Sequence, residues 1–475
     1  MSMEIPNILA SRYASPCIRD IWSERGRILL EREFWIAVMK AQKKLGMDIP
    51  QESIQAYEGV ADQVDLESIR RRESVLRHDV KARIEEFCSL AGCEHIHKGM
   101  TSRDLTDNVE QFQILRSLQH LQLKYVALLS SLSRRALQWR DLAMVGRTHY
   151  AAAQPTTLGK RLAMYGEEML QAFRRFEDLV AAYPLRGLVG AVGTSLDQLT
   201  LLGGDQGKLK QLQERVCHFL GFNNQLNAVG QIYPRSLDYE VIGCLYQLGA
   251  GIADLARTLR LMAGNEFITE GFTKGQVGSS SMPHKMNTRS TERINGLQVI
   301  LGGYVHMLGS LCGDQWFEGD VSCSVVRRVA LPDSFFAFDG MTETMLHVLD
   351  EMGAYETLIQ KDLERYMPFL ATTTLLMEAV KRGAGREQAH AAIEQHSVAA
   401  ALDMREKGLA RNNLAQRLGA DDRIPLSREK IEAIFKDSQG FVGLAAYQVD
   451  SFAGSVNQLV RSYPDAGKIQ KGSLL

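Results

Sequence analysis

The chain has 475 residues, of which 45% are hydrophobic and 23% are charged, and this composition excludes disordered and fibrous proteins. Its 55 Lys and Arg against 56 Asp and Glu leave no excess charge that would favour nucleic acid or an anionic membrane as partner. The first residues, MSMEIPNILASRYASP, lack the basic region and apolar region expected of a signal peptide, and no later stretch is apolar over the length of a membrane span. We therefore expect a cytoplasmic protein that acts on a small soluble molecule.

The first third of the chain carries three short polar segments within otherwise helical sequence. They are SRYAS at residues 11–15, RHDV at 77–80 and HKGMTSRD at 97–104. Taken alone, the RHD triplet is compatible with a surface ion pair. The residues of the three segments alone do not assign a function to them.

Seven scattered cysteines without a CxxC pair argue against a disulfide framework and a redox motif, and predict free, mostly buried thiols. A zinc site is the alternative, because Cys88, Cys93, His95 and His97 lie within ten residues. The spacing of the two cysteines is unusual for zinc, and no second ligand pair follows. We therefore predict no metal.

Two long apolar stripes at alternating spacings of three and four residues predict long helices that need partner helices. One stripe comprises Ile114, Leu118, Leu121, Tyr125, Leu128 and Leu132, and the other comprises Leu245, Leu248, Ile252, Leu255, Leu259 and Met262. Strand-like alternation is scarce. The pattern predicts an all-α fold with an N-terminal helical domain (1–112), a central long-helix bundle (113–365) and a C-terminal helical domain (366–475).

Between the stripes lie a histidine segment and a glycine segment. In GRTHYAAAQPTT, Pro155 predicts a turn or a helix start shortly after Thr148 and His149. The glycines of GLVGAVG at residues 187–193 do not have the GxGxxG spacing, and no GxxxxGK[ST] occurs. Nucleotide binding of the Rossmann or P-loop kind is therefore excluded.

Residues 274–292, the signature segment, read KGQVGSSSMPHKMNTRSTE and interrupt helical sequence with small residues and a proline. Such a composition is typical of a mobile loop that ends at a helix. Lys285 and Asn287 supply a cation and an amide that could bind a carboxylate. On spacing alone, a solvated Gly/Ser linker is the better explanation of the segment.

GSSSMPHKMN resembles the GSSxMPxKxN motif of the fumarase, aspartase and argininosuccinate lyase superfamily. Within it, RTHYAAAQPTT, SRYAS and RHDV resemble the adenylosuccinate lyases in particular. This resemblance implies three helical domains, a homotetramer whose long central helices pack together, and active sites shared between subunits. It also implies β-elimination of fumarate from adenylosuccinate, giving AMP, and from succinylaminoimidazole carboxamide ribotide, giving AICAR, in purine nucleotide biosynthesis, with no cofactor.

The resemblance also assigns the catalytic residues. Ser279 corresponds to the general base, with Ser280 as the second choice, and His149 to the general acid. Lys285 binds a carboxylate and activates the serine, and His78 assists catalysis at the substrate. Glu292 orients or pairs with the catalytic histidine.

Substrate binding is carried over in the same way, since a nucleotide with a phosphate and two succinyl carboxylates needs many donors. Arg12 and Tyr13 correspond to phosphate-side contacts, Thr101 and Ser102 to carboxylate contacts, and Gln231 to a substrate-binding amide. The remaining predicted contacts are Arg77, Asp79, Thr148, Asn287, Arg293, Ser324 and Arg328.

One departure concerns Gly319, at a position where many relatives carry arginine. We expect Arg12 and Arg328, assisted by Tyr13 and Ser324, to form the phosphate site, with Arg327 as a possible substitute for the missing cation. Pairing of Arg328 with Asp320 would be the purely structural alternative.

Two other functions remain open: another lyase of the superfamily, such as an argininosuccinate lyase, and a catalytically silent, crystallin-like helical oligomer. SRYAS and RHDV argue against the first, and Ser279, Lys285, His149 and His78 argue against the second.

Overall fold

The computed structural model describes residues 5–271 and 281–469, and within these residues the chain is dominated by nineteen α-helices. The prediction of an all-α fold is confirmed. Ser279 and Ser280 of the signature segment lie outside the described residues.

Six helices precede the bundle: α1 (Ile8–Arg12), α2 (Pro16–Trp22), α3 (Glu24–Lys44), α4 (Gln51–Gly59), α5 (Leu66–Leu76) and α6 (Asp79–Ala91). The central part comprises α7 (Ser102–Gln138), α8 (Leu158–Ala182), α9 (Leu196–Leu201), α10 (Gln206–Phe219), α11 (Ser236–Gly264), α12 (Arg289–Gly309) and α13 (Cys323–Glu351).

The last six helices are α14 (Glu356–Leu370), α15 (Thr372–Lys381), α16 (Arg386–Glu406), α17 (Leu414–Gly419), α18 (Arg428–Lys436) and α19 (Ala445–Ser462). Short 3-10 helices span Gln439–Phe441 and Pro464–Lys468. The strands form three two-stranded sheets: β1 (Ala143–Thr148) with β2 (Ala151–Thr157), antiparallel; β3 (Pro184–Leu185) with β4 (Asn224–Gln225), parallel; and β5 (Ile268–Thr269) with β6 (Gly353–Ala354), antiparallel.

The five long helices α7, α8, α11, α12 and α13 pack side by side as the central bundle. Every residue of the two predicted apolar stripes is at most 3% exposed. Burial of whole stripes is the main stabilising contribution, since a fully buried aliphatic side chain gives about 1.5–3 kcal/mol. The predicted bundle is confirmed.

The predicted domain boundaries fall inside helices, residue 112 within α7 and residue 365 within α14. One hydrophobic core joins the N-terminal helices to the bundle, whereas residues 375–431 enclose a core of their own. Helix α19 then returns to the bundle, where Phe452 packs against Gly166 and Asp450 pairs with Arg140. The three-domain division itself stays a prediction.

All seven cysteines are free, as predicted, but only Cys217 and Cys323 are buried. Cys17 and Cys312 are exposed, so the expectation of mostly buried thiols was wrong. Cys17 lies on the short helix α2 and Cys312 follows the end of α12, so neither belongs to a helix with a predicted apolar stripe. Among the described residues, no helix is long and apolar enough to cross a membrane.

Candidate active site

A cavity of about 440 Å³ opens where the first turns of α7 and α13 meet α3 and the start of α6. Four predicted substrate contacts line it: Asp79, Ser102, Ser324 and Arg328. These residues lie up to 249 positions apart in the chain, yet the fold brings them to one space, hereafter the α7–α13 cavity. Its walls carry hydroxyl, guanidinium and carboxylate groups suited to a polar, charged ligand.

Buried Asp104 fixes the start of α7. One of its carboxylate oxygens accepts from the backbone N–H and the hydroxyl of Thr101, at 2.8 and 3.2 Å. The other accepts from Arg186 at 2.8 Å and from two backbone N–H groups at residues 189–190. The Thr101 proton is thus directed at Asp104, whereas Ser102 faces the cavity. Of the two hydroxyls predicted to bind a carboxylate, Ser102 is the better placed.

The RHD triplet forms the entry to α6. Arg77 adopts a left-handed conformation (φ 51°), and the Nδ1 atom of exposed His78 accepts from the N–H of Lys81 at 3.2 Å. With Nδ1 an acceptor, the proton of neutral His78 resides on Nε2. The ring is therefore oriented by the helix start that it caps.

Asp79, the next residue, is half-exposed beside the α7–α13 cavity and ends an ionic chain whose other members are buried. Arg83 bonds Asp79 at 3.2 Å and Glu31 at 2.6 Å. Burial opposes ionisation of Asp79, but Arg83 outweighs it together with hydrogen bonds, so the pKa of Asp79 is lowered on balance. Asp79 therefore lines the cavity as a carboxylate, which accepts hydrogen bonds rather than binding an anion.

Neighbouring arginines on the first turns of α13 differ in their environment. Arg327 is buried and pairs with Asp238 at 2.6 Å and Glu110 at 2.7 Å. Its charge is thus compensated within the protein, which does not favour it as the substitute for the missing arginine. Arg328 is exposed, and no ion pair joins it to Asp320 in the part of the chain that the structure describes.

Gly319 has φ 139°, a conformation that side chains rarely adopt, and a Cβ there would lie 2.8 Å from the side chain of Ile232. The adjoining Glu318 carbonyl accepts from the N–H of Gln231 at 2.7 Å. The loop before α13 is therefore fastened to the segment that carries Gln231. Glycine at 319 is required by the backbone of this chain.

His149 occupies the tip of the β1–β2 hairpin. His149 and Tyr150 have φ of 52° and 61°, the conformation of a tight hairpin turn that glycine and asparagine usually fill. Pro155 lies within β2 opposite Val145 rather than at a turn, and α8 starts after Thr157, so the prediction for Pro155 was wrong. Both tip residues and Thr148 are exposed, in a strained turn of the kind found at functional sites.

The described part of the signature segment begins at Ser281 and leads into α12. Lys285 is exposed, and Glu292 accepts from the hydroxyl of Thr288 at 3.4 Å. Among the described residues no bond joins Glu292 to His149, so the predicted pairing stays untested in one chain. The partly buried Asn287 precedes Thr288.

Predicted phosphate-side residues lie farther along the bundle. The guanidinium of Arg293 lies 5.5 Å from the centre of the Tyr13 ring, which links α12 to the end of α1. Arg12 is the exposed last residue of α1. Two members of the predicted set are thus in contact, outside the lining of the α7–α13 cavity.

Within one chain, the predicted site is divided between two ends of the bundle. Arg327, at the α7–α13 cavity, pairs with Asp238 near the start of α11, whereas Tyr150 beside His149 accepts a hydrogen bond from Asn265 just after its end. Asp238 and Asn265 are 27 positions apart, which corresponds to roughly 40 Å at 1.5 Å per residue. Hence His149 and the cavity of the same chain cannot contact one small molecule.

The alternative zinc ligands have other partners. Cys88 contacts the hydroxyl of Tyr57 at 3.1 Å, and Nδ1 of His97 accepts from the indole N–H of Trp35 at 3.1 Å. Burial lowers the pKa of His97 to about 4, so this ring is neutral at pH 7. Among the described residues, no group of three or more His, Cys, Asp or Glu is placed to hold a metal.

Sequence reasoning missed Arg103 and Arg27, which line the same cavity. A signal existed for Arg103, because a cation in the first turn of a helix opposes the helix dipole. No comparable signal marks Arg27, whose position follows from the packing of α3 against α7.

The sequence of the chain matches protein families and relatives of known name. A family model described as "Lyase" matches residues 12–302, and one described as "Adenylosuccinate lyase C-terminus" matches residues 368–452. Adenylosuccinate lyase of Saccharomyces cerevisiae is 32% identical over 94% of this chain and 93% of its own length. That of Schistosoma mansoni is 31% identical over 97% of each.

Solved structures of similar fold include the 3-carboxy-cis,cis-muconate lactonizing enzyme of Pseudomonas putida, with a TM-score of 0.81, 21% identity and coverage of 96% of this chain and 100% of that one. A fumarate lyase of Mesorhizobium sp. BNC1 has a TM-score of 0.76, 20% identity and coverage of 93% and 98%. At these identities the likeness supports the fold alone.

Proposed function

Because the chain belongs to the adenylosuccinate lyase family, we propose that it catalyses β-elimination of fumarate from adenylosuccinate, giving AMP. The same reaction on succinylaminoimidazole carboxamide ribotide gives AICAR. The observation that carries the proposal is the near full-length match to adenylosuccinate lyases, joined to a polar cavity lined by four residues expected to contact such a substrate.

In this reaction a base removes a proton from the carbon next to a carboxylate, and the bond from the neighbouring carbon to nitrogen breaks. An acid protonates the departing nitrogen, so fumarate and the amine leave as separate products. Negative charge spreads into the carboxylate in the transition state, and fixed donors there lower the barrier.

Ser279 takes the role of the base and His149 that of the acid in this proposal. Exposure of His149 on a strained hairpin tip leaves its ring accessible to a substrate. Lys285 and Asn287 bind the carboxylate that accumulates charge. His78, whose Nε2 carries the proton, donates a hydrogen bond to the substrate.

The α7–α13 cavity binds the anionic groups of the substrate in this proposal. Ser102 and Ser324 offer hydroxyl donors, and exposed Arg328 offers a guanidinium suited to a carboxylate or a phosphate. Asp79 orients the neighbouring arginine and accepts from substrate hydroxyl or amine groups.

A complete site then requires more than one subunit, because the cavity and His149 lie roughly 40 Å apart in one chain. Apolar side chains exposed on the bundle support assembly: Tyr246, Val299, Ile300, Val325 and Val329. We therefore propose a homotetramer whose long helices pack together, bringing the two bundle ends of different chains to one substrate.

The direct test is to add adenylosuccinate to the purified protein and follow the ultraviolet change as AMP forms, with argininosuccinate as the control substrate. We expect turnover of adenylosuccinate and none of argininosuccinate. An assembled, folded protein that leaves adenylosuccinate intact would contradict the proposed function. Turnover of argininosuccinate alone would indicate an argininosuccinate lyase instead.

A further inference from the structure

Arg103, on the first turn of α7, lines the α7–α13 cavity between Ser102 and the bundle core. We propose that Arg103 is a substrate-binding residue that, together with Arg328, holds one anionic group of the substrate, either a succinyl carboxylate or the nucleotide phosphate. This inference rests on the proposed function and adds a specificity-determining residue to it.

The charge of Arg103 is only partly compensated within the protein. Its Nη1 atom lies 3.0 Å from Oδ1 of Asp107, while Oδ2 of the same carboxylate lies 3.1 Å from Arg235. One buried carboxylate therefore serves two guanidiniums. Arg235 is buried, whereas the side chain of Arg103 is 19% exposed and reaches the cavity surface.

With respect to the dipole of α7, the position of Arg103 is unfavourable. A cation near a helix N-terminus meets the positive end of the helix dipole, which is unfavourable. Asp104, the acidic residue of the same turn, is directed away from the cavity to Thr101 and Arg186. An anion bound beside Ser102 would offset both the guanidinium charge and the helix dipole.

The two walls of the cavity carry opposite charge. Helices α7 and α13 contribute Arg103, Arg327 and Arg328 against one carboxylate, Glu110. The wall formed by α3 and α6 contributes three carboxylates and one arginine: Glu24, Glu31, Asp79 and Arg27. The carboxylates of the second wall are paired, Glu24 with Arg70 and both Glu31 and Asp79 with Arg83. The first wall is therefore the one that attracts an anionic group. Since Arg327 is already paired with Asp238 and Glu110, Arg103 and Arg328 remain to bind it.

The test compares Arg103→Gln and Arg103→Lys with the wild-type enzyme in steady-state turnover of adenylosuccinate. We expect Arg103→Gln to raise KM about tenfold or more, because a hydrogen bond to a charged group is lost, and to change kcat much less. Arg103→Lys keeps a cation beside Asp107 but loses the planar, two-pronged geometry, so its KM should be intermediate.

Product inhibition distinguishes the two sources of the anion. A rise in the inhibition constant of AMP alone would assign Arg103 to the phosphate, and a rise in that of fumarate alone would assign it to a carboxylate. Either result supports the proposal. Unchanged KM and unchanged inhibition constants in Arg103→Gln, with only a lower Tm, would overturn it.

Arg116→Gln is the matched control, because Arg116 lies on the same helix and pairs with Glu33 at 3.1 Å but does not line the cavity. Its KM should equal that of the wild type. Failure of the proposed function is recognised separately: a wild-type enzyme that leaves adenylosuccinate intact would overturn both proposals, whereas an active wild type matched by Arg103→Gln would overturn this inference alone.

Discussion

Glu270 accepts hydrogen bonds from both the backbone N–H and the hydroxyl of Thr291, each at 3.1 Å, although 21 residues separate them. Its second carboxylate oxygen accepts from the N–H of Ser290 at 2.9 Å. These N–H groups belong to the first turn of α12, where a negative charge is also favoured by the helix dipole. One side chain thus caps α12 and holds Glu270 beside Ser290 and Thr291.

Replacing Glu270 by Ala should therefore affect stability and turnover together. Loss of a helix cap costs about 1–2 kcal/mol, and the start of α12, which follows Lys285 and Asn287, loses its attachment to Glu270. We expect a lower Tm and a clearly lower kcat. Thermal unfolding and steady-state kinetics measure both, with Glu214→Ala, an exposed carboxylate paired with Lys210, as the control. Unchanged kcat in Glu270→Ala would show that this cap does not position the segment.

Much of the fold could be predicted because its determinants are local and periodic. The stripes beginning at Ile114 and Leu245 have helical spacing, and every member is buried. The β1–β2 hairpin could not be predicted in this way, because its tip uses His149 and Tyr150 where glycine or asparagine is expected. Here tertiary contacts, such as Asn265 with Tyr150, override local preference.

The candidate site was predicted in part. Motif resemblance supplied Asp79, Ser102, Ser324 and Arg328, and the fold brings these four together. The division of the site between bundle ends was not readable from spacing, because it depends on the length and direction of α11. Arg103 was missed since its role depends on the sharing of Asp107 with Arg235, a contact 128 residues away.

Residues from opposite bundle ends should complement each other. We expect His149→Ala and His78→Ala each to lose about two to four orders of magnitude in kcat, as for removal of a positioned acid or base, with Tm nearly unchanged. Ser279→Ala should show the same loss. Dissociating and reassembling a mixture of His149→Ala and His78→Ala should restore some activity, because some sites then receive both wild-type residues.

The control for complementation pairs two variants from one bundle end, His78→Ala with Ser102→Ala. This mixture should stay inactive if one chain supplies both residues to a given site. Specific activity is measured after mixed assembly has been verified. No recovery in the His149→Ala mixture would argue against sites shared between chains.

Stability should fall as the pH drops below about 6.5, in part through His97. Burial lowers the pKa of folded His97 to about 4, so the unfolded chain, with a usual value near 6.5, binds more protons between these limits. The contribution of His97 to the free energy of unfolding is fully present above pH 6.5 and is lost progressively as the pH falls towards 4. Its upper limit is about 3 kcal/mol. His97→Gln should flatten the decline of Tm between pH 7 and 5, whereas exposed His390→Gln should not.

Arg328→Ala should raise KM for adenylosuccinate by at least about tenfold, since a charged hydrogen bond contributes about 1.5–3 kcal/mol. The effect on kcat should be smaller, because an anionic group held away from the reacting bond is bound similarly in the ground and transition states. Steady-state kinetics separates the two constants. A lower Tm with unchanged KM would instead mean that Arg328 has a structural role.

Introducing an arginine at Gly319, as the family resemblance would suggest, should not improve this enzyme. At φ 139° any side chain strains the backbone, and the new Cβ would meet Ile232 at 2.8 Å. We expect Gly319→Ala and Gly319→Arg each to lower the free energy of unfolding by more than about 1 kcal/mol. The strain of a side chain at positive φ is larger than the stabilisation gained from a less flexible unfolded chain. The carbonyl of Glu318 accepts a hydrogen bond from the N–H of Gln231, a predicted substrate contact. Distortion of the backbone at 319 should therefore displace Gln231 and also raise KM. Comparing the two variants separates backbone strain, which both share, from the added cation. A Gly319→Arg enzyme with native Tm and lower KM would show that this loop can accept the relatives' arginine.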